Sequence, residues 1–251
     1  MLQFPNHQRL QNSAGVSGAA VVWDMDGVLV GTVPALKTAW TAFVQEIFSI
    51  TCPDKARKLV DDHYNTYGST PIGCAHEPKI PESEHAGFVA AAESKVAQHI
   101  VENRHALVRR SPNLEAGMRR LQGKLEEAGV ASYVFTNAPG YFAGTMLNHV
   151  GLSFLQHQLI TAEDVGGIRK VHKAAYEGFI ERTGIDPERS VMIDDHTSSL
   201  RPASEVGMRT VFIGQDNGDR PDYVDDVYPG TLPLLLDILE KRCLERFGIS
   251  L

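Results

Sequence analysis

Two kinds of hydrophobic pattern alternate along this chain. Short continuous apolar runs occur at residues 19–23, 131–135, 158–161, 190–193 and 209–213. Runs of this length, rich in β-branched and aromatic residues, predict buried strands. Between them the apolar positions fall three and four apart, the spacing of one helix face. Leu36, Trp40, Phe43, Val44 and Ile47 predict a helix over 34–48. Leu114, Met118, Leu121 and Leu125 predict another, begun by Ser111-Pro112 and closed by Gly129. Further helices are expected over 139–150 (Phe142, Met146, Leu147), over 173–182 (Tyr176, Phe179, Ile180, stopped by Gly184), over 198–206 and over 232–246. Strands alternating with helices imply an α/β fold. The expectation is a three-layer, Rossmann-like core with a parallel sheet.

The stretch from about 50 to 108 reads differently. It is rich in His, Ala, Tyr and charge and has no β-like run. Turn signals stand at Cys52-Pro53, at Tyr67-Gly68 and from Pro71 to Pro81. One helix is expected from about Glu84 to His105, with Phe88, Val89, Ala92, Val96 and Ile100 on one side. The expected organisation is a core of residues 19–33 and 109–251, interrupted by an all-helical insert over 34–108. Residues 1–18 read as a polar leader without the apolar segment of a secretory signal.

Composition narrows the choice of partners. The chain has 251 residues, 43% hydrophobic and 22% charged, enough to bury a full core and carry an insert. A net charge of −7 disfavours a nucleic acid polymer or an anionic membrane as a general partner. An anionic substrate would need local positive charge. Three scattered cysteines (Cys52, Cys74, Cys243) fit a reducing compartment, and a cytoplasmic location is expected. No stretch is long and apolar enough to span a membrane. Oligomeric state is not legible.

The chemistry gathers where the predicted strands end. Asp24 and Asp26 follow the first strand, with Gly27 after them to turn the backbone. Residues two apart point the same way in a strand. Two carboxylates so placed repel unless a cation or shared proton relieves them, and Mg2+ suits such oxygen ligands. Thr136-Asn137 follows the second strand, before a helix start that favours an oxyanion. Helix capping would explain the same two residues. Asp194-Asp195 follows the strand Val191-Met192-Ile193 and again calls for a cation. Lys170, with Lys173 as the alternative, supplies positive charge between them, although most lysines merely face solvent.

Asp24-Met25-Asp26-Gly27-Val28-Leu29 resembles the first motif of the haloacid dehalogenase superfamily in its phosphatase form. With Thr136, Lys170 and Asp194-Asp195 in order, the resemblance covers about residues 19 to 215, the insert excepted. Val171 departs from the family's Lys-Pro pattern; Tyr176 keeps its aromatic residue six positions on. The resemblance implies a Mg2+-dependent phosphomonoesterase working through an aspartyl-phosphate. Asp24 would be the nucleophile and Asp26 the general acid and base. Thr136, Asn137 and Lys170 would hold phosphate oxygens. Asp24, Asp194, Asp195 and the Asp26 backbone carbonyl would hold Mg2+, and the insert would be a cap that selects substrate. Tyr67-Gly68-Ser69-Thr70 and Phe135-Thr136-Asn137-Ala138 also resemble segments of pyrimidine 5′-nucleotidases, so a nucleoside monophosphate is the first substrate expected, with a sugar or glycolate-type phosphate next. The alternatives are a sugar-phosphate mutase or other phosphotransferase, carbon–halogen hydrolysis, against which Asp26 counts, and a non-catalytic phosphate-ligand binding protein.

Overall fold

A computed structural model describes residues 18–67, 69–77, 80–215, 218, 220–228 and 236. Its chain divides into two compact units, one formed by Met1–Val30 with Arg110–Leu251 and the other by Gly31–Arg109.

The first unit is built on six parallel strands: β1 (Ala20–Trp23), β2 (Ala131–Thr136), β3 (Leu159–Thr161), β4 (Val191–Asp194), β5 (Arg209–Ile213) and β6 (Asp226–Tyr228). Their order across the sheet is β3-β2-β1-β4-β5-β6. β1 is therefore central, paired in parallel with β2 on one side and β4 on the other. The chain walks outward from β1 to β3, then returns to the far side of β1 and walks outward again. That reversal, between β1 and β4, is the switch point at which open α/β sheets bind ligands. The α/β, Rossmann-like expectation is what the sheet shows.

Period-two alternation sorts the strand residues between the faces. Ala20, Val22, Tyr133, Phe135 and Met192 share a cluster with Tyr176, Phe179, Leu200 and Ala203. Trp23 points into the opposite layer, where its indole N–H donates to Ser132 Oγ at 3.1 Å.

The second unit is helical: α1 (Val33–Phe48), α2 (Pro53–Tyr67), α3 (Thr70–Ala75), α4 (His85–Glu102) and α5 (Arg104–Leu107). α1 packs on α2 and α4, and α3 on α2 and α4. Its interior includes Trp40, Phe43, Val44, Val60, Cys74, Val96 and Ile100. Among the described residues the first unit carries α6 (Pro112–Glu127), α7 (Gly140–His149), α8 (Lys173–Thr183) and α9 (Thr197–Glu205).

Four elements differ from the sequence expectation. Cys52-Pro53 and Pro71 mark helix starts, not turns. Proline lacks an N–H, and the first helical turn has no internal acceptor for one. The helix expected to run unbroken from 84 to 105 is interrupted at Asn103, whose side-chain amide donates to the His99 carbonyl at 2.9 Å. β6 was not expected, because Asp226-Val227-Tyr228 has no apolar run. It is an edge strand, half-buried along its length. The expected helix over 232–246 lies outside the described residues except at Leu236, as do the leader up to residue 17, Gly68 and Cys243.

Candidate active site

β1 and β4 are neighbours in register, with Trp23 opposite Ile193. Asp24 N–H donates to the Ile193 carbonyl at 2.8 Å. Two residues beyond Val22 and Met192, Asp24 and Asp194 continue the strand face covered by α8 and α9. Asp24, Asp194 and Asp195 each bring a carboxylate oxygen within 4.8 Å of the others. Gly27 closes the loop at φ +87°, in the left-handed region. A Cβ there would stand 2.0 Å from Asp195 Oδ2. Both the turn and the approach of Asp195 thus require glycine.

Lys170 is buried, and its ammonium ion-pairs with Asp24 Oδ1 and, at 2.7 Å, with Asp194 Oδ2. Burial by itself would lower its pKa. The carboxylates of Asp194 and Asp24 outweigh that and push it well above the usual lysine range. Lys173 is exposed and pairs with Glu177 at 3.4 Å. Of the two candidate lysines, Lys170 is the one brought to the acids.

Asn137 reaches the same place by another route. Its Oδ1 accepts from the Lys170 backbone N–H at 2.8 Å, which ties the lysine's loop to the end of β2. Thr136 is buried, and its hydroxyl accepts from Ala138 N–H at 3.0 Å. Glu163 was not anticipated. Its carboxylate accepts from Gly140 N–H at 3.2 Å, so one amide of the α7 N-terminus already holds an anion. Nothing in the spacing around Glu163 signals this.

Burial raises the pKa of two of the acids. Burial pushes Asp24 well above the carboxylate range; Lys170 opposes the shift, and Asp194, Asp195 and Asp26 add to it. Burial also pushes Asp195 up to about 6. Asp26 is half-buried. Asp194 Oδ1 accepts from His196 N–H at 2.8 Å.

The donor set fits a hard divalent cation. Asp195 Oδ1 is buried with no hydrogen-bond partner; His196 Nε2 stands 3.9 Å off. A buried carboxylate oxygen left so costs free energy. Three converging carboxylates, one with an unpartnered oxygen, are oxygen ligands of the kind Mg2+ accepts.

Residues 19–207 match the family of haloacid dehalogenase-like hydrolases. The chain belongs to this family. As a haloacid dehalogenase-like hydrolase it is an enzyme. It is 24% identical over 237 residues to a phosphoglycolate phosphatase of Neisseria meningitidis serogroup A, covering 89% of this chain and 94% of that protein. Among solved structures, a hydrolase from Pseudomonas syringae superposes with a TM-score of 0.65 at 16% identity, over 90% of this chain and 100% of that one. A β-phosphoglucomutase from Clostridium difficile gives 0.63 at 16% identity, over 91% and 96%. These likenesses show the fold.

Proposed function

We propose that this hydrolase is a Mg2+-dependent phosphomonoesterase acting on a small phosphorylated metabolite through an aspartyl-phosphate. The observation that carries the reading is the buried Lys170 ammonium paired with Asp24 and Asp194, beside a buried Asp195 oxygen without a hydrogen-bond partner. A phosphoryl group needs this combination of carboxylate, fixed cation and metal-binding acids.

Asp24 attacks phosphorus, and the ester oxygen leaves as the acyl phosphate forms. Asp26 gives the departing oxygen its proton, then takes one from the water that hydrolyses the intermediate. Lys170 and the Thr136 hydroxyl hold the equatorial oxygens. Asn137 keeps its Oδ1 on the Lys170 backbone, which leaves its NH2 to donate. Asp24, Asp194, Asp195 and the Asp26 carbonyl would hold Mg2+, which when bound offsets the charge of carboxylate and phosphate.

The helical unit interrupts the core directly after the Asp24–Gly27 loop, and we assign it the role of a cap that selects substrate. The Neisseria relative moves a glycolate-type phosphate ahead of the nucleoside monophosphate first expected. Among the described residues Cys52 and Cys74 are free thiols, which agrees with a reducing, cytoplasmic setting. No described helix is long and apolar enough to cross a membrane.

The test is phosphate release from 2-phosphoglycolate, nucleoside monophosphates and sugar phosphates, with Mg2+ and with EDTA. Release should stop with EDTA and in Asp24→Asn, whose circular dichroism should match the wild type. Wild-type turnover by Asp24→Asn would remove the nucleophile. Isomerised sugar phosphate without free phosphate would favour a mutase. No reaction with any ester would favour a binding protein.

A further inference from the structure

Tyr176 carries a buried hydroxyl that joins the lysine-bearing side of the site to the acid-bearing side. It sits in α8, six residues beyond Lys170, and is fully buried. Its hydroxyl donates to the Ser199 carbonyl at 2.8 Å. Ser199 lies in the first turn of α9, which begins directly after Asp194-Asp195-His196. The Tyr176 ring stands edge-on to Phe135 at 5.4 Å between centroids, and Phe135 precedes Thr136. Of the four segments that present the candidate catalytic groups, this side chain therefore belongs to the one that follows Lys170 and touches those that follow β2 and β4.

Burial pushes the Tyr176 phenol well above its ordinary range, and Asp194 and Asp24 add to this against Lys170. The hydroxyl thus stays a neutral donor at physiological pH.

We propose that Tyr176 is a positioning residue: by holding the first turn of α9 against α8, its hydroxyl sets the place of Asp194 and Asp195 relative to Lys170 for metal binding. The inference rests on the phosphatase reading above. Groups that orient metal ligands commonly carry a sizeable share of metal affinity without touching the ion.

The test compares wild type, Tyr176→Phe and Tyr133→Phe. Phenylalanine keeps the ring and its contact with Phe135, and removes only the donor. Tyr133 is a second buried tyrosine of the same cluster, stacked edge-on to Phe179, and serves as the control. Mg2+ binding is measured by titration calorimetry at 20 °C, with folding of each protein checked by circular dichroism without metal. Tyr176→Phe should bind Mg2+ about tenfold more weakly, with kcat lowered at limiting Mg2+ and recovered at saturating Mg2+. Tyr133→Phe should match wild type. Equal Mg2+ affinity in Tyr176→Phe and wild type, or equal loss in both variants, would overturn the inference. Failure of the wild type itself to bind Mg2+ or release phosphate would instead overturn the phosphatase reading.

Discussion

Asp195 shows how much one side chain is asked to hold. Burial pushes its carboxyl up to about 6 from the usual 3.8. Between those values the folded metal-free protein keeps a proton that the unfolded chain has released. Fewer protons on the unfolded state mean that stability falls as pH rises through that window. Asp195→Asn removes the titration. In EDTA, its stability relative to wild type should therefore grow between about pH 4 and pH 7, read from urea midpoints. A difference that stays constant over that range would show that Asp195 ionises normally. Lys170 presents the opposite case. Its ammonium is stabilised by its partners, because Asp194 and Asp24 more than reverse the effect of burial. Removing one member of such a set leaves the rest buried and uncompensated, which is why these residues act as a unit.

At the scale of the element, helix and strand ends decide where chemistry is presented. α8 ends at Gly184, whose φ of 70° lies in the left-handed region and whose N–H donates to Ile180 C=O. No other residue takes that conformation without cost. Gly184→Ala should destabilise the protein by about 1 kcal/mol, measured as a lower urea midpoint, with phosphate release at saturating Mg2+ unchanged. A loss of activity without loss of stability would instead tie this end of α8 to the site. In the helical unit, His63 bridges Cys74 Sγ at 3.4 Å and Glu77 Oε1 at 2.8 Å. This links α2 to α3 and the turn after it. Burial pushes the Cys74 thiol up to about 12, so it packs as a small apolar residue and is inert as a nucleophile.

At the scale of the whole molecule, the strand order brings residues 24 and 194 side by side although 170 positions separate them in sequence. Three carboxylates placed so close store repulsion that a divalent cation relieves. Mg2+ at a hundredfold its dissociation constant should stabilise the folded protein by about 2.7 kcal/mol. In a chain of this length that raises the thermal midpoint by roughly 5–10 °C. The rise should vanish with EDTA and shrink in Asp195→Asn. A midpoint indifferent to Mg2+ would remove the metal from the site.

Hydrophobic periodicity alone predicts the alternation of strands and helices, the parallel sheet and the helical insert, because each element must bury one face and repeats its apolar residues accordingly. The acids were legible for a related reason: a carboxylate at the end of an apolar strand is costly without a partner, so Asp24, Asp194 and Asp195 stand out. What local pattern does not contain is any contact between segments distant along the chain. The sequence favours Lys170 over Lys173, but only the tertiary structure shows Lys170 buried against Asp24 and Asp194 while Lys173, the first residue of α8, stays exposed beside Glu177. Only it places Asn137 on the Lys170 backbone, Glu163 on the α7 N-terminus and the Tyr176 hydroxyl on Ser199. The short helix α3 and the edge strand β6 also escape the pattern. Pro71 reads as a turn until its neighbours are seen to be helical, and β6 is held by pairing with β5 and not by apolar residues of its own. Local sequence determines which face an element must bury; only the folded chain decides which polar groups from distant segments meet once those faces are buried.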